Sequence, residues 1–166
     1  MPNAETFSIR PIADFVARHM TGAQCSVDPF ARNCTLATHR NDIDPNTAAE
    51  WHMEAEAFVD ALDMLGVRAD LALLDPPYSP RQISESYKGA GLAVGMKETQ
   101  NATLYRRVRD ALDRIVRPGG VVLSFGWHSN GMGRKRGYVL EELLLVAHGG
   151  AHNDTICIAE RKLEPA

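Results

Sequence analysis

Apolar residues recur at helical spacing in three segments of the chain. The first, residues 11–20, predicts an amphipathic helix that ends near Thr21-Gly22. Glu54 to Leu65 predicts a second helix, and a third begins near Asn101 and ends before Pro118-Gly119-Gly120. The positions that carry these patterns are Ile12, Phe15, Val16 and Met20, then Phe58, Leu62 and Leu65, then Leu104, Val108, Leu112 and Ile115.

Short apolar runs between the predicted helices indicate strands. Cys25 to Phe30, Ala69 to Leu74 and Val121 to Trp127 are bounded by turn residues, as strands are. Tyr138 to Ala147 and Thr155 to Glu160 suit an antiparallel pair at the edge of a sheet. Strands that alternate with helices predict an α/β fold whose sheet is mostly parallel, and ligands of such sheets bind beyond the carboxyl ends of the strands.

Acidic segments follow the predicted strands. Asp28, residues 42–44 and Asp75 all fall at predicted carboxyl ends. Only ten residues separate Phe30 from Asn41, fewer than the roughly dozen that a parallel crossover with a helix needs. We therefore expect a reduced first crossover.

Composition adds limits to this picture. The 166 residues suit a single domain, 1–166, that is 45% hydrophobic and 23% charged, with no run of eighteen apolar residues. The first residues lack a basic stretch followed by an apolar one, so a cytoplasmic protein without membrane contact is expected. Three cysteines without CxxC spacing favour neither a disulfide framework nor a thiolate zinc site. His148, His152 and Asp154 have metal-like spacing in a glycine-rich turn, but no metal site is expected there.

The most specific signal in the chain is Asp75-Pro76-Pro77-Tyr78, directly after the predicted strand Ala69 to Leu74. The Asp75 carboxylate and the Pro76 carbonyl can each accept one N–H of an amino group that is conjugated to a ring. Held so, the nitrogen becomes pyramidal and its lone pair turns toward an electrophile. The prolines make the corner rigid, and Tyr78 can stack on the ring. The same four residues also suit a turn that only ends a strand.

This tetrapeptide resembles the catalytic motif of the DNA amino-methyltransferases, Asp/Asn-Pro-Pro-Tyr/Phe. The resemblance implies a single Rossmann-like class I methyltransferase domain that transfers a methyl group from S-adenosylmethionine to adenine N6 in DNA. Val27-Asp28-Pro29-Phe30-Ala31 is similar to the family's cofactor motif, and Val116 to Val122 is similar to its Pro-Gly-Gly strand entry.

Roles for single residues follow from the resemblance. The catalytic residues would be Asp75, Pro76, Pro77 and Tyr78. The residues that bind the cofactor would be Asp28, Pro29, Phe30, Ala31, Asn33, Asp42, Asp44 and Glu54, with Asp42 and Asp44 at the ribose and Glu54 near the adenine. One departure is clear, because Arg32-Asn33 stands where the family has glycines.

Nucleic-acid binding is the least visible property, because the formal net charge is −3. Two segments carry suitable cations. Residues 79–98 form a glycine-rich, polar segment and a candidate target-binding loop, with Arg81 and Lys88. The second segment ends in a basic run and is rich in glycine. Its cations are Arg134, Lys135 and Arg136.

Several alternatives stay open. The substrate can be RNA, at guanine N2 or adenine N6, since DPPY also occurs in RNA enzymes, or cytosine N4 in DNA. The fold can also be a non-catalytic, methyltransferase-like scaffold. A homodimer sharing one duplex would supply the recognition surface that a domain this small lacks.

Overall fold

The computed structural model describes residues 6–77, 101–150 and 153–164. Its helices are α1 (Arg10–Met20), α2 (Ala55–Met64) and α3 (Asn101–Ile115), with 3₁₀ turns at Thr6–Ser8 and Arg134–Arg136. Its strands are β1 (Ser26–Asp28), β2 (His39–Arg40), β3 (Ala69–Leu74), β4 (Val116–Gly126), β5 (Tyr138–Val146) and β6 (Thr155–Lys162). None of the helices in these ranges has the length and apolar content that a bilayer span requires.

The strands form one sheet in the order β2-β1-β3-β4-β6-β5. β2, β1, β3 and β4 are parallel to one another, whereas β6 is antiparallel to both β4 and the edge strand β5. The prediction of an α/β domain with a mostly parallel sheet and an antiparallel C-terminal edge is confirmed.

Helices cover both faces of the sheet. On one face, α1 packs Phe15 and its neighbours against Leu73 and Phe125. On the other face, α2 and α3 bury Phe58 and Leu112 in a second apolar cluster. The alternation of side chains along β3 and β4 supplies both clusters, which places the carboxyl ends of these strands between the two layers.

The first crossover is reduced, as its length predicted. Residues 29–38, which join β1 to β2, contain turns and no helix. Side chains secure the short parallel pair instead: Ser26 N–H donates to Thr38 Oγ1 at 3.1 Å, and Thr38 N–H donates to Ser26 Oγ at 2.9 Å.

The Pro-Gly-Gly segment differs from the sequence-based prediction. We expected it to separate α3 from the next strand, but β4 begins at Val116 and includes it. The register against β3 shifts here, since Ala69 pairs with Val116 and Leu71 with Val121. A Cβ on Gly120 would lie 2.8 Å from Val116 Cγ1 and 3.1 Å from the Ala69 carbonyl oxygen. The segment is therefore a bulge that only a close backbone approach permits.

Candidate active site

Two carboxylates lie at the carboxyl ends of the neighbouring strands β1 and β3. Asp28 ends β1, and Asp75 directly follows β3. The Asp28 side chain is fully buried; Oδ1 accepts the Phe30 N–H at 3.0 Å, and Oδ2 has no hydrogen-bond partner in the described part of the chain. Burial raises the pKa of Asp28 to about 8, and the nearby charge of Asp75 adds to this effect. Asp28 is therefore largely uncharged at neutral pH.

The proline corner lies where several elements meet. Pro76 is buried, whereas Asp75 and Pro77 are half-buried. Burial raises the pKa of Tyr105 on α3, and it raises the pKa of Cys157 on β6 to about 12. The charge of Asp75 is a further cause of both pKa shifts. Asp75 thus lies close to α3 and β6 as well as to β1. Tyr78, the last residue of the tetrapeptide, lies outside the described residues.

Asn41, which the sequence analysis did not single out, connects the segments after β1 and β2. The Asn41 side chain is 1% exposed; its Nδ2 donates to the carbonyl oxygens of Pro29 and Met53, both at 3.0 Å. Its Oδ1 accepts the Met53 N–H at 3.1 Å. A polar residue after a strand was the only sequence signal, and this network depends on a segment twelve residues away.

Asp42, predicted to contact a ribose, follows β2 and is half-buried. Its Oδ2 accepts the Arg32 N–H at 3.2 Å, and its Oδ1 accepts the Asp44 N–H at 2.9 Å. Burial raises the pKa of Asp42. A carboxylate has about four lone-pair positions, so both oxygens of Asp42 can accept further hydrogen bonds.

The turn after β1, where the sequence has Arg32-Asn33 and no glycine, contains one residue in the left-handed backbone conformation. Arg32 has a φ of 50°, in the left-handed region that favours glycine. Asn33 Oδ1 accepts the Ala48 N–H at 3.0 Å, so this side chain fastens the turn to the following loop. Asp44 accepts from Asn46 by two hydrogen bonds, and Glu54 is an exposed residue just before α2.

A pocket opens beside the proline corner, on the face covered by α3. Its empty space is about 450 Å³, a figure that includes the open solvent at its mouth, so only part of this volume is enclosed by the protein. Ser124 lies two residues after Val122 on β4 and therefore on the same face of the sheet as the α2–α3 cluster. Trp127 is 42% exposed. The lining comprises Leu74, Pro76, Tyr105, Arg109, Ser124, Phe125, Gly126, Trp127, His128 and Asn130.

The loop after β4 forms one wall of this pocket, and two charged side chains hold it in place. Glu160 is 6% exposed and accepts the N–H groups of Met132 and Gly133. Arg109 donates to the carbonyl oxygens of Asn130, at 3.1 Å, and Gly131, at 2.8 Å. The wall is therefore fixed by hydrogen bonds that reach it from α3 and β6.

The predicted nucleic-acid contacts divide into two groups. Arg134 and Lys135 are exposed in the 3₁₀ turn after the pocket loop. Arg136 forms an ion pair with Asp110 and donates to the Met132 carbonyl, so its guanidinium is used within the fold. The other candidates, Arg81, Lys88 and the loop 79–98, lie outside the described residues.

Metal-ligand residues do not cluster in the part of the chain that the structure describes: it contains no group of three His, Cys, Asp or Glu side chains able to hold an ion. His148 accepts or donates a hydrogen bond at Thr155 Oγ1, 2.7 Å away, and its backbone N–H donates to Asp154. His152 lies outside the described residues.

No family model matches the sequence, and no curated protein matches it. Solved structures do resemble the fold. TrmN from Thermus thermophilus (16% identity, TM-score 0.59) matches over 92% of this chain and 48% of its own. NSun6 from Pyrococcus horikoshii (16% identity, TM-score 0.57) matches over 90% of this chain and 51% of its own. The N-methyltransferase NodS from Bradyrhizobium japonicum WM9, in complex with S-adenosyl-L-homocysteine (12% identity, TM-score 0.59), matches over 98% of this chain and 91% of its own.

The chain thus spans about half the length of TrmN and of NSun6, and nearly all of NodS. At these identities the likeness concerns architecture: a mixed sheet, parallel except at its C-terminal edge, between helical layers. The chain has the Rossmann-like fold of class I methyltransferases.

Proposed function

We propose that this protein transfers a methyl group from S-adenosylmethionine to adenine N6 in DNA. The observation that carries the proposal is the Asp75-Pro76 corner at the end of an interior strand, with a pocket beside Pro76 and the buried Asp28 carboxyl close enough to feel the charge of Asp75. Such an arrangement provides acceptors for an amino group beside a pocket that is open to solvent.

The residues after β1 and β2 suit this cofactor. Asp28 Oδ2 is a buried polar atom without a partner in the described residues, and such an atom is costly unless a ligand satisfies it. Asp42, at the end of β2, can accept hydroxyl groups of a ribose while it keeps its two backbone hydrogen bonds. When bound, S-adenosylmethionine supplies a methyl group on a positively charged sulfur.

The chain's own chemistry lies at the corner after β3. Asp75 and the Pro76 carbonyl accept the two N–H groups of the base, so that the nitrogen lone pair is no longer fully delocalised into the ring. With the cofactor bound, this nitrogen would form the new bond to the methyl carbon, and the electron pair of the broken carbon–sulfur bond would leave with S-adenosylhomocysteine. The extra proton on nitrogen passes to the Asp75 carboxylate or to water, so no dedicated base is required.

Two substitutions at one position test this proposal. Asp75→Ala removes an acceptor and should lower methyl transfer about 100- to 1,000-fold, as loss of a transition-state hydrogen bond does. Asp75→Asn keeps an acceptor oxygen and should retain much more activity. Both should bind S-adenosylmethionine in calorimetry as the wild type does.

Unchanged methyl transfer by Asp75→Ala would refute the assignment of the corner. Failure of the wild-type protein to bind S-adenosylmethionine, with DNA present, would favour the non-catalytic scaffold. Methylation of RNA in preference to DNA would move the substrate to the alternative class while leaving the role of Asp75 intact.

A further inference from the structure

Two residues that line the pocket beside the proline corner carry buried hydroxyl groups without hydrogen-bond partners in the described residues. Ser124 Oγ belongs to a side chain that is 7% exposed, and the Tyr105 hydroxyl oxygen is likewise buried. Buried polar groups almost always have partners, because each unsatisfied one destabilises the fold. Two such groups from different elements in a single pocket point to a ligand that satisfies both.

Two other polar groups of the lining, the Arg109 guanidinium and His128 Nδ1, already have hydrogen-bond partners. The Arg109 guanidinium donates to two backbone carbonyl oxygens of the pocket loop, and His128 Nδ1 accepts the Asn130 N–H at 3.3 Å. Leu74, whose side chain belongs to the α2–α3 cluster, adds apolar surface to the lining. The two hydroxyls are therefore the groups best placed to recognise the edge of a ring.

The state of the Tyr105 hydroxyl favours donation. Burial, with a further contribution from the charge of Asp75, raises its pKa, so the phenol keeps its proton at neutral pH. A serine hydroxyl also carries a proton that rotates to suit its partner. The pocket thus offers two donors next to the site that accepts an amino group.

We propose that Tyr105 and Ser124 are the residues that select the base, by donating hydrogen bonds to the ring nitrogens on either side of the amino group. The inference rests on the proposed function. Adenine has an acceptor on each side of its N6 amino group, N1 and N7. Cytosine has one acceptor, N3, beside its N4 amino group, and guanine has an N–H and an acceptor beside its N2 amino group. Two donors therefore match adenine best.

The test uses DNA in which every adenine is replaced by 7-deazaadenine, made by amplification with the 7-deaza nucleotide, so no recognition sequence needs to be known. This analogue keeps N6 and N1 but has no acceptor at position 7. The wild type should show kcat/KM about 10- to 100-fold lower on this DNA than on ordinary DNA, as expected when a donor is left unpaired.

Tyr105→Phe and Ser124→Ala each delete one hydroxyl. The variant that lacks the donor to N7 should have a kcat/KM about 10- to 100-fold lower on ordinary DNA and should no longer distinguish the two DNAs. The variant that lacks the donor to N1 should have a lower kcat/KM on both DNAs and should still distinguish them. Tyr138→Phe is the matched control, because Tyr138 is buried in the α2–α3 cluster and does not line the pocket. It should behave as the wild type.

Calorimetry with S-adenosylmethionine and thermal unfolding show that the variants fold and bind cofactor. Wild-type kcat/KM and wild-type discrimination in both Tyr105→Phe and Ser124→Ala would overturn the inference alone, since the wild type would still be methylating adenine. Absence of methyl transfer by the wild type on every DNA would overturn the proposed function, and the inference with it.

Discussion

The buried Asp28 carboxyl should make the stability of the ligand-free protein fall as pH rises. Its pKa is 3.8 in an unfolded chain and about 8 in the fold. The folded protein therefore keeps a proton that the unfolded chain loses above pH 4. The resulting stabilisation is complete below about pH 4 and is lost as pH rises to about 8. The difference between the two pKa values corresponds to about 6 kcal/mol, at about 1.36 kcal/mol for each unit of pKa.

Asp28→Asn isolates this effect. The asparagine carbonyl oxygen can still accept the Phe30 N–H, but the side chain does not titrate. Urea unfolding of both proteins at steps from pH 4 to pH 8.5 gives the free energy of unfolding at each pH. Other titrating groups are shared, so the difference between the two proteins reports on position 28.

We expect the two proteins to be of similar stability near pH 4. Asp28→Asn should then become progressively more stable than the wild type, by several kcal/mol at pH 8. A constant difference across this range would refute the reasoning, because it would mean that Asp28 titrates alike in the folded and unfolded chains.

Four further predictions concern cofactor, loops and nucleic acid. The affinity for S-adenosylmethionine, a cation, should rise as pH approaches 8 and should lose this rise in Asp28→Asn, measured by calorimetry. Gly120→Ala should lower the melting temperature, by crowding the Ala69 carbonyl. Glu160→Ala should destabilise by about 1–3 kcal/mol in urea unfolding, because the buried Met132 N–H and the half-buried Gly133 N–H lose their acceptor. Arg134→Ala with Lys135→Ala should weaken DNA binding and reduce its salt dependence, with cofactor binding unchanged.

Much of the fold was predictable because local patterns determine it. Helical periodicity placed α1 at Arg10–Met20 and α2 at Ala55–Met64 within one residue of the predicted ends. The adjacent prolines identified the corner after β3, since neither can donate to the sheet. The spacing between Phe30 and Asn41 predicted a crossover without a helix, and the structure confirms it.

What the sequence did not reveal depends on contacts between distant segments. The Gly119-Gly120 bulge became part of β4 only through its register with β3, which periodicity does not encode. Tyr105 and Ser124 lie on different elements and share a pocket only after folding. Arg136 looked like a phosphate ligand until its ion pair with Asp110, twenty-six residues away, was seen.

Mass analysis of nucleosides from DNA and RNA, after incubation with the protein and methyl-labelled S-adenosylmethionine, identifies the methylated base. We expect label in N6-methyldeoxyadenosine from the DNA, and its loss with Asp75→Ala. Label in a different nucleoside, or none while calorimetry shows bound cofactor, would contradict methylation of adenine N6 in DNA.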